Sequence, residues 1–182
     1  MIYLRLFSRS LLIALCAAGV ISACTDAPPV REVRAGTALE KAPALDPAQA
    51  RDAINVYRKA KGLKPLAVSA KLNKAAMVQA EDIAKRGRLD HNGSDGSTAG
   101  DRVKRAGYDS ALTAENIAAG QRSFEEVFQG WKKSPAHNRN LLLADAKDMG
   151  IAVAFAPNSG FKVFWALVLA APPSAETRSN WE

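Results

Sequence analysis

Two histidines and one glutamate are the residues of this sequence whose types and settings could do chemistry. His91 lies in LDHNG, Glu115 in TAENIAAG and His137 in GWKKSPAHNRNLL, and no other histidine occurs in the chain. Each is flanked by Asn, Ser, Gly or Ala rather than by a heavy apolar pattern. Two imidazoles and one carboxylate can ligate a divalent metal with positions left open, zinc foremost. The same three can instead form a neutral hydrogen-bonded network that ties their segments together. No H-E-x-x-H helix fixes ligands locally, so the residues alone leave both readings open. On the network reading, Glu115→Gln changes stability by about 1–2 kcal/mol.

The segments that must position them are punctuated clearly. Asp46-Pro47 reads as an N-cap followed by Pro at the first helical position, and Ala50, Ala53, Ile54 and Tyr57 then recur at helical spacing up to Gly62. A second helix is expected from Ser69 to about Arg86, with Leu72, Ala76, Ala80, Ile83 and Ala84 on its apolar face and Gly87 as its stop. RLDHNGSDGSTAG, residues 88–100, has the Gly, Asn, Asp and Ser density of turns and carries His91. A short helix from Asp101 to Ala106 follows, and Glu115 then falls between loop signals.

Ser123 starts another helix, with Glu126 completing a capping box and Phe124, Val127, Phe128 and Trp131 forming its stripe. Ser134-Pro135 is a further helix start, which puts His137 in a first turn, where the dipole disfavours its charged form. GIAVAFA and FKVFWALVLA, joined by PNSG, read as an antiparallel hairpin whose second strand is buried nearly throughout. Helices first and strands last give an α+β class.

Other residues have duller readings. Ser134 precedes His137 by three residues, but no G-x-S-x-G elbow is present. Asp95 in SDGS suits an Asx-turn better than calcium. Trp131 and Trp165 are expected to fill core. Glu125 and Glu126 suit the positive end of a helix dipole on a solvated face. Asn116 is expected to hold its segment by bonding backbone groups.

The ends of the chain bear on compartment. MIYLRLFSRS carries Arg5 and Arg9 without an acid, and LLIALCAAGVISA is apolar with a small-residue end just before Cys24. Such a run is a leader, too short for a stable span. We divide the chain into a leader over 1–23, a Pro-, Ala- and charge-rich tether over 24–45, a folded domain over 46–172 and a polar, frayed tail over 173–182. Cys16 leaves with the leader, so Cys24 is the one remaining cysteine and no disulfide framework is expected. Losing Arg5 and Arg9 trims the formal charge of +7 by two. That mild excess favours anionic surfaces, while the lack of a Lys/Arg run interleaved with aromatics argues against nucleic acid.

Two resemblances sharpen this. ISAC, residues 21–24, resembles the lipobox of bacterial lipoprotein signal peptides, which implies lipidation of Cys24 and anchoring in a bacterial envelope membrane, facing periplasm or exterior. DHNGSDGST, AENIAAG, GWKKSPAHNRNLL and FWALVLA, in that order, resemble the CAP superfamily (cysteine-rich secretory proteins, antigen 5, pathogenesis-related 1) in its bacterial SCP-like form, over roughly residues 46–171. The resemblance implies a three-layer α-β-α sandwich with a cleft. It carries two His and one Glu of the family's cleft tetrad onto His91, His137 and Glu115. Ser134 stands where the second Glu is usual, Ala166-Leu167 where a strand usually offers Thr-Gln, and Ala114 where Gly usually precedes the Glu.

The function expected on this basis is binding of a lipid-like or envelope ligand, with His91, Glu115, Ser134 and His137 lining the site. The alternative is a metal-dependent, peptidase-like hydrolase, with zinc on His91 and His137 and Glu115 as ligand or general base. The missing second carboxylate weighs against it, because Glu115 would have to fill two roles.

Overall fold

A computed structural model of the chain describes residues 41–174. The leader, Cys24, most of the tether and the last eight residues of the tail lie outside the described residues. Five helices and four strands follow in the order α1 (Pro47–Lys59), β1 (Ala67–Val68), α2 (Ala70–Arg86), α3 (Ala99–Arg105), β2 (Leu112–Ala119), α4 (Phe124–Lys133), α5 (Pro135–Leu141), β3 (Asp148–Phe155) and β4 (Val163–Ala171).

The helix starts are set by local chemistry. The Asp46 carboxylate accepts from Ala48 N at 2.8 Å with Pro47 behind it, and Ser69 accepts from Leu72 N, so orphan amides of the first turns are satisfied. Gly87, at φ 66°, ends α2 in the left-handed region that glycine enters freely. Two boundaries differ from the sequence expectation. α3 begins at Ala99, because Thr98 and Asp101 form a reciprocal capping box that makes Asp101 the third residue of the helix. Ser123 does accept from Glu126 N, but the Glu126 carboxylate reaches back one residue further and accepts from Arg122 N at 2.7 Å. The expected box there is therefore shifted.

The sheet runs in the order β1-β3-β4-β2. β3 and β4 pair antiparallel, as do β4 and β2, while the two-residue β1 pairs parallel with β3. Because β4 is central and both its faces are covered, all nine of its residues are buried. Alternation along it divides the core. Val163, Trp165, Leu167 and Leu169 join Ile54, Phe128, Trp131 and Leu141 in a layer built with α1, α4 and α5. Phe164, Ala166, Val168 and Ala170 face the other way, onto Leu72, Ala76, Ala80 and Ile83 of α2 and Val103 of α3. The result is the expected three-layer α-β-α sandwich.

The two layers are made of different residues. The first holds Trp131 and Trp165, each removing ~150–250 Å² from water, a transfer gain of roughly 4–6 kcal/mol at most. The second is alanine-rich, so α2 lies close to the sheet. That approach is tightest at Gly150 of β3, where an added Cβ would come within 2.1 Å of the Leu72 backbone. Beside it, Asn73 Oδ1 of α2 accepts the amide of Ile151 at 2.9 Å, which satisfies a strand N–H beyond the reach of short β1. Arg58, fully buried, braces the first layer by donating to the carbonyls of Lys64, Leu141 and Leu143. Those last two bonds close the C-terminal end of α5, whose orphan carbonyls would otherwise be buried bare.

Candidate functional site

Glu115 is on a strand, not in a loop. The expectation failed because TAENIAAG is rich in Ala and carries Glu and Asn, residues of low strand propensity. Pairing with β4 overrides that preference, with Glu115 opposite Val168 and Asn116 opposite Leu167. β2 is also an edge strand, and its alternation sends consecutive side chains to opposite layers. Glu115 turns toward α3 and the 88–98 loop. Asn116 turns toward α5.

On the first side, Glu115 is nearly closed to water yet fully partnered. Its Oε1 lies 2.9 Å from His91 Nδ1, and its Oε2 accepts from Arg102 Nη2 at 2.8 Å. Arg102 also donates to the carbonyls of Ser97 and His91, so one guanidinium fixes the loop that presents the histidine. The loop is shaped from within as well: Asp95 Oδ1 accepts from Ser97 N at 3.0 Å, the Asx-turn expected for it, and its other oxygen holds Arg105. Those hydrogen bonds, with Ser97 first and Arg105 next, keep the Asp95 carboxyl far below the usual carboxylate range.

On the second side, Asn116 Nδ2 donates to the carbonyl of His137 at 3.0 Å, and Asn140 Nδ2 donates both to Asn116 Oδ1 and to the Glu115 carbonyl. Trp131 Nε1 reaches the Ile117 carbonyl at 3.5 Å. Two outward carbonyls of an edge strand are thus covered by side-chain donors, a recognised way of blunting such an edge. Asn116 bonds backbone as expected, although it joins a helix to the sheet rather than closing a loop.

Of the site residues expected from sequence, His91 and Glu115 are in direct contact. The carboxylate fixes the tautomer, with hydrogen on Nδ1 and Nε2 turned to solvent, since an ionised acid can only accept. The His91 side chain is 59% exposed. Its pKa is raised, chiefly by the bond to Glu115, against opposing burial and the Arg102 charge. His137, half-buried as the third residue of α5, has its pKa lowered by burial and then by the nearby His91 charge. Its imidazole is therefore neutral at pH 7. Ser134 links α4 to α5, donating its N–H to Gly130 and accepting from Asn138 N through its carbonyl. Its hydroxyl makes no cap bond, so it holds the N-cap position without the expected capping contact. Ala166 and Leu167 are buried in opposite layers, and the strand offers no polar side chain there.

Arg102 is the residue that sequence reasoning missed. It is placed by the α3 capping box, and its signal was faint: an arginine in a short helix following a glycine-rich loop. Trp131 and Trp165 are core, as expected.

The α-β-α sandwich is that of an SCP-like domain. The chain belongs to the cysteine-rich secretory protein (CAP) family, whose model matches residues 51–169, well over half of it. That stretch contains no cysteine, so its core holds without disulfides. The chain is 32% identical over 97 residues to an uncharacterized Bacillus subtilis protein, YkwD, covering 53% of this chain and 38% of that one. An extracellular protein containing a SCP domain from Bacillus anthracis superposes with a TM-score of 0.60 at 25% identity, over 68% of this chain and 39% of that one. An outer surface protein from Borrelia burgdorferi gives 0.61 at 20% identity, over 69% and 92%. The chain thus spans well under half the length of the two Bacillus proteins.

Proposed function

We propose that this chain is an extracytoplasmic binding module, anchored in the cell envelope through Cys24, whose ligand-binding residues are His91, Glu115, Ser134 and His137. The observation that carries it is the full engagement of Glu115, with one oxygen on His91 and the other on buried Arg102. A carboxylate held this way orients an imidazole. It is poorly placed to collect protons as a general base.

The metal reading fits these residues badly. A zinc ion on Glu115 would have to displace Arg102 or share the carboxylate with a buried cation, and like charges at that range repel strongly. His91 offers Nε2 and His137 its neutral ring, but the third ligand is already bound. Among the described residues no group of three His, Cys, Asp or Glu is arranged to hold a metal ion. What remains is a solvent-facing imidazole on the 88–98 loop and a half-buried one on α5, groups suited to donate to and accept from a polar envelope ligand. A lipid-like ligand would find a better wall near α1, where Val56, Leu63 and Pro65 line an apolar cavity of about 560 Å³.

The location rests on the leader, on the lipobox-like ISAC, and on the extracellular and outer-surface descriptions of the two similar structures. Among the described residues no helix is long and apolar enough to cross a membrane. The test is zinc titration by calorimetry, with a peptide and ester substrate screen, on wild type and Glu115→Gln. Mass spectrometry of small molecules carried through purification runs alongside. A co-purifying envelope molecule lost in His91→Ala supports binding. Sub-micromolar zinc affinity with turnover abolished in Glu115→Gln would overturn it in favour of the hydrolase.

A further inference from the structure

The two edges of the sheet are finished differently. On β2, the outward carbonyls of Glu115 and Ile117 are covered by Asn140 and Trp131. On the other side, β1 reaches only Asp148 and Met149, so the rest of β3 is itself an edge. The Met149 carbonyl accepts from Ser69 N, and Ile151 N donates to Asn73 Oδ1. Both groups therefore point away from β4. Backbone direction alternates along a strand, so the N–H and carbonyl of Val153 and Phe155 point outward too. Among the described residues, no other segment bonds the Ile151 carbonyl, the Val153 N–H and carbonyl or the Phe155 N–H. Burial follows the same line: from Met149 to Phe155, only Val153 and Phe155 are partly exposed. Such an edge is commonly guarded by charge or proline, yet IAVAF, residues 151–155, has neither. Met77, one turn beyond Asn73 on the same face of α2, is 39% exposed.

We propose that this edge of β3 pairs with the same edge of a second copy of the chain, antiparallel about a two-fold axis at Val153. The two sheets then become one. The pattern is self-complementary, as a two-fold interface requires. Each Val153 N–H donates to the Val153 carbonyl of the other copy, and each Phe155 N–H donates to the opposite Ile151 carbonyl. Asn73 below and the turn closed by Ala156 N on the Lys162 carbonyl above limit the ladder to this length. On the first-layer face, Val153 meets Val153 and Ile151 meets Phe155, the β-branched and aromatic pairs that strands favour. On the α2 face, Ala152 meets Ala154, and the small side chains leave Met77 of each copy free to cover the seam. A foreign peptide would have to bring an equally apolar, uncharged strand, and the second copy already carries one. The seam lies at the opposite end of the sheet from β2 and Glu115, so it is independent of the binding function proposed above.

The test is residue-resolved hydrogen exchange of the full chain at about 5 and 500 µM, in detergent with micelles in large excess, beside sedimentation of the same samples. The expected result is a dimer with a dissociation constant below about 100 µM. The Val153 and Phe155 amides should exchange at least about tenfold more slowly at the higher concentration. Val153→Lys and Phe155→Lys place a charge on the edge at partly exposed positions and touch no bond to β4. Each should sediment as a monomer with an unchanged circular dichroism spectrum. Should both variants fail to fold, the exchange of wild type decides alone, because it reads this edge and no other. A monomer at every concentration, a dimer whose Val153 and Phe155 amides exchange equally fast at both, or a dimer that persists in both variants would overturn the proposal.

Discussion

Glu115 Oε2 lies 2.8 Å from Arg102 Nη2, with 3% of one side chain and 2% of the other exposed. The pair joins an edge strand to a seven-residue helix, and its other bonds hold the loop that carries His91. The placement of the most exposed imidazole in the site thus depends on an ion pair that water does not reach.

Breaking such a pair from one side leaves a buried charge without its partner, at a cost of about 3–5 kcal/mol. Glu115→Gln and Arg102→Met are each expected to lose that much in urea denaturation. This replaces the ~1–2 kcal/mol that a hydrogen-bond count alone gives for Glu115→Gln. The double variant should lose less than the sum of the two, with a coupling of at least about 1 kcal/mol. Additive losses would show that the two charges do not depend on each other.

The histidines should titrate on opposite sides of the ordinary value of about 6.5, His91 above it and His137 below. The stability signs are then opposite. The His91 contribution is complete below about pH 6.5 and lost as pH rises through its raised pKa. The His137 contribution is present above that pH and lost as pH falls through its depressed one. Imidazole proton NMR against pH measures both midpoints directly. Finding His137 the more basic would refute the assignment of burial and of the Glu115 bond as the controlling causes.

Gly150 has no room for a methyl group, since its Cβ would meet the Leu72 carbonyl carbon and Asn73 nitrogen at 2.1 and 2.2 Å. Backbone cannot rotate away as a side chain can. Gly150→Ala should therefore cost at least about 3 kcal/mol, the upper part of the overpacking range, with α2 losing protection in hydrogen exchange. Gly130 has nothing within 4 Å of its Cβ position, and Gly130→Ala serves as the control. A Gly150→Ala protein as stable as wild type would mean that α2 does not sit this close to β3.

The proposed anchoring predicts that Cys24→Ser accumulates as an unprocessed precursor that a palmitate analogue does not label, while wild type is cut after Ala23 and labelled. Gel mobility and fluorescence after metabolic labelling read both. Equal labelling of the two proteins would remove lipidation from the proposed function.

The sequence by itself determined what depends on neighbours along the chain. Asp46-Pro47, Ser69 and Gly87 mark helix ends because capping is chemistry within four residues, and the hydrophobic run of β4 announces a strand covered on both faces. Four ordered motifs were enough to reach the CAP family. Boundaries slipped where two local partners compete, as when Thr98 rather than Asp101 opens α3, or Glu126 reaches Arg122 instead of the Ser123 amide. Tertiary structure alone decided the rest. Glu115 became a strand residue because β4 pairs with it against its own propensity. Arg58 and Asn140 acquired roles because the carbonyls they satisfy come from segments remote in sequence. Arg102 was invisible as the partner of Glu115 for the same reason: no local pattern records that a lone arginine on a short helix will face a carboxylate thirteen residues on, across a layer boundary that exists only once the sheet has formed.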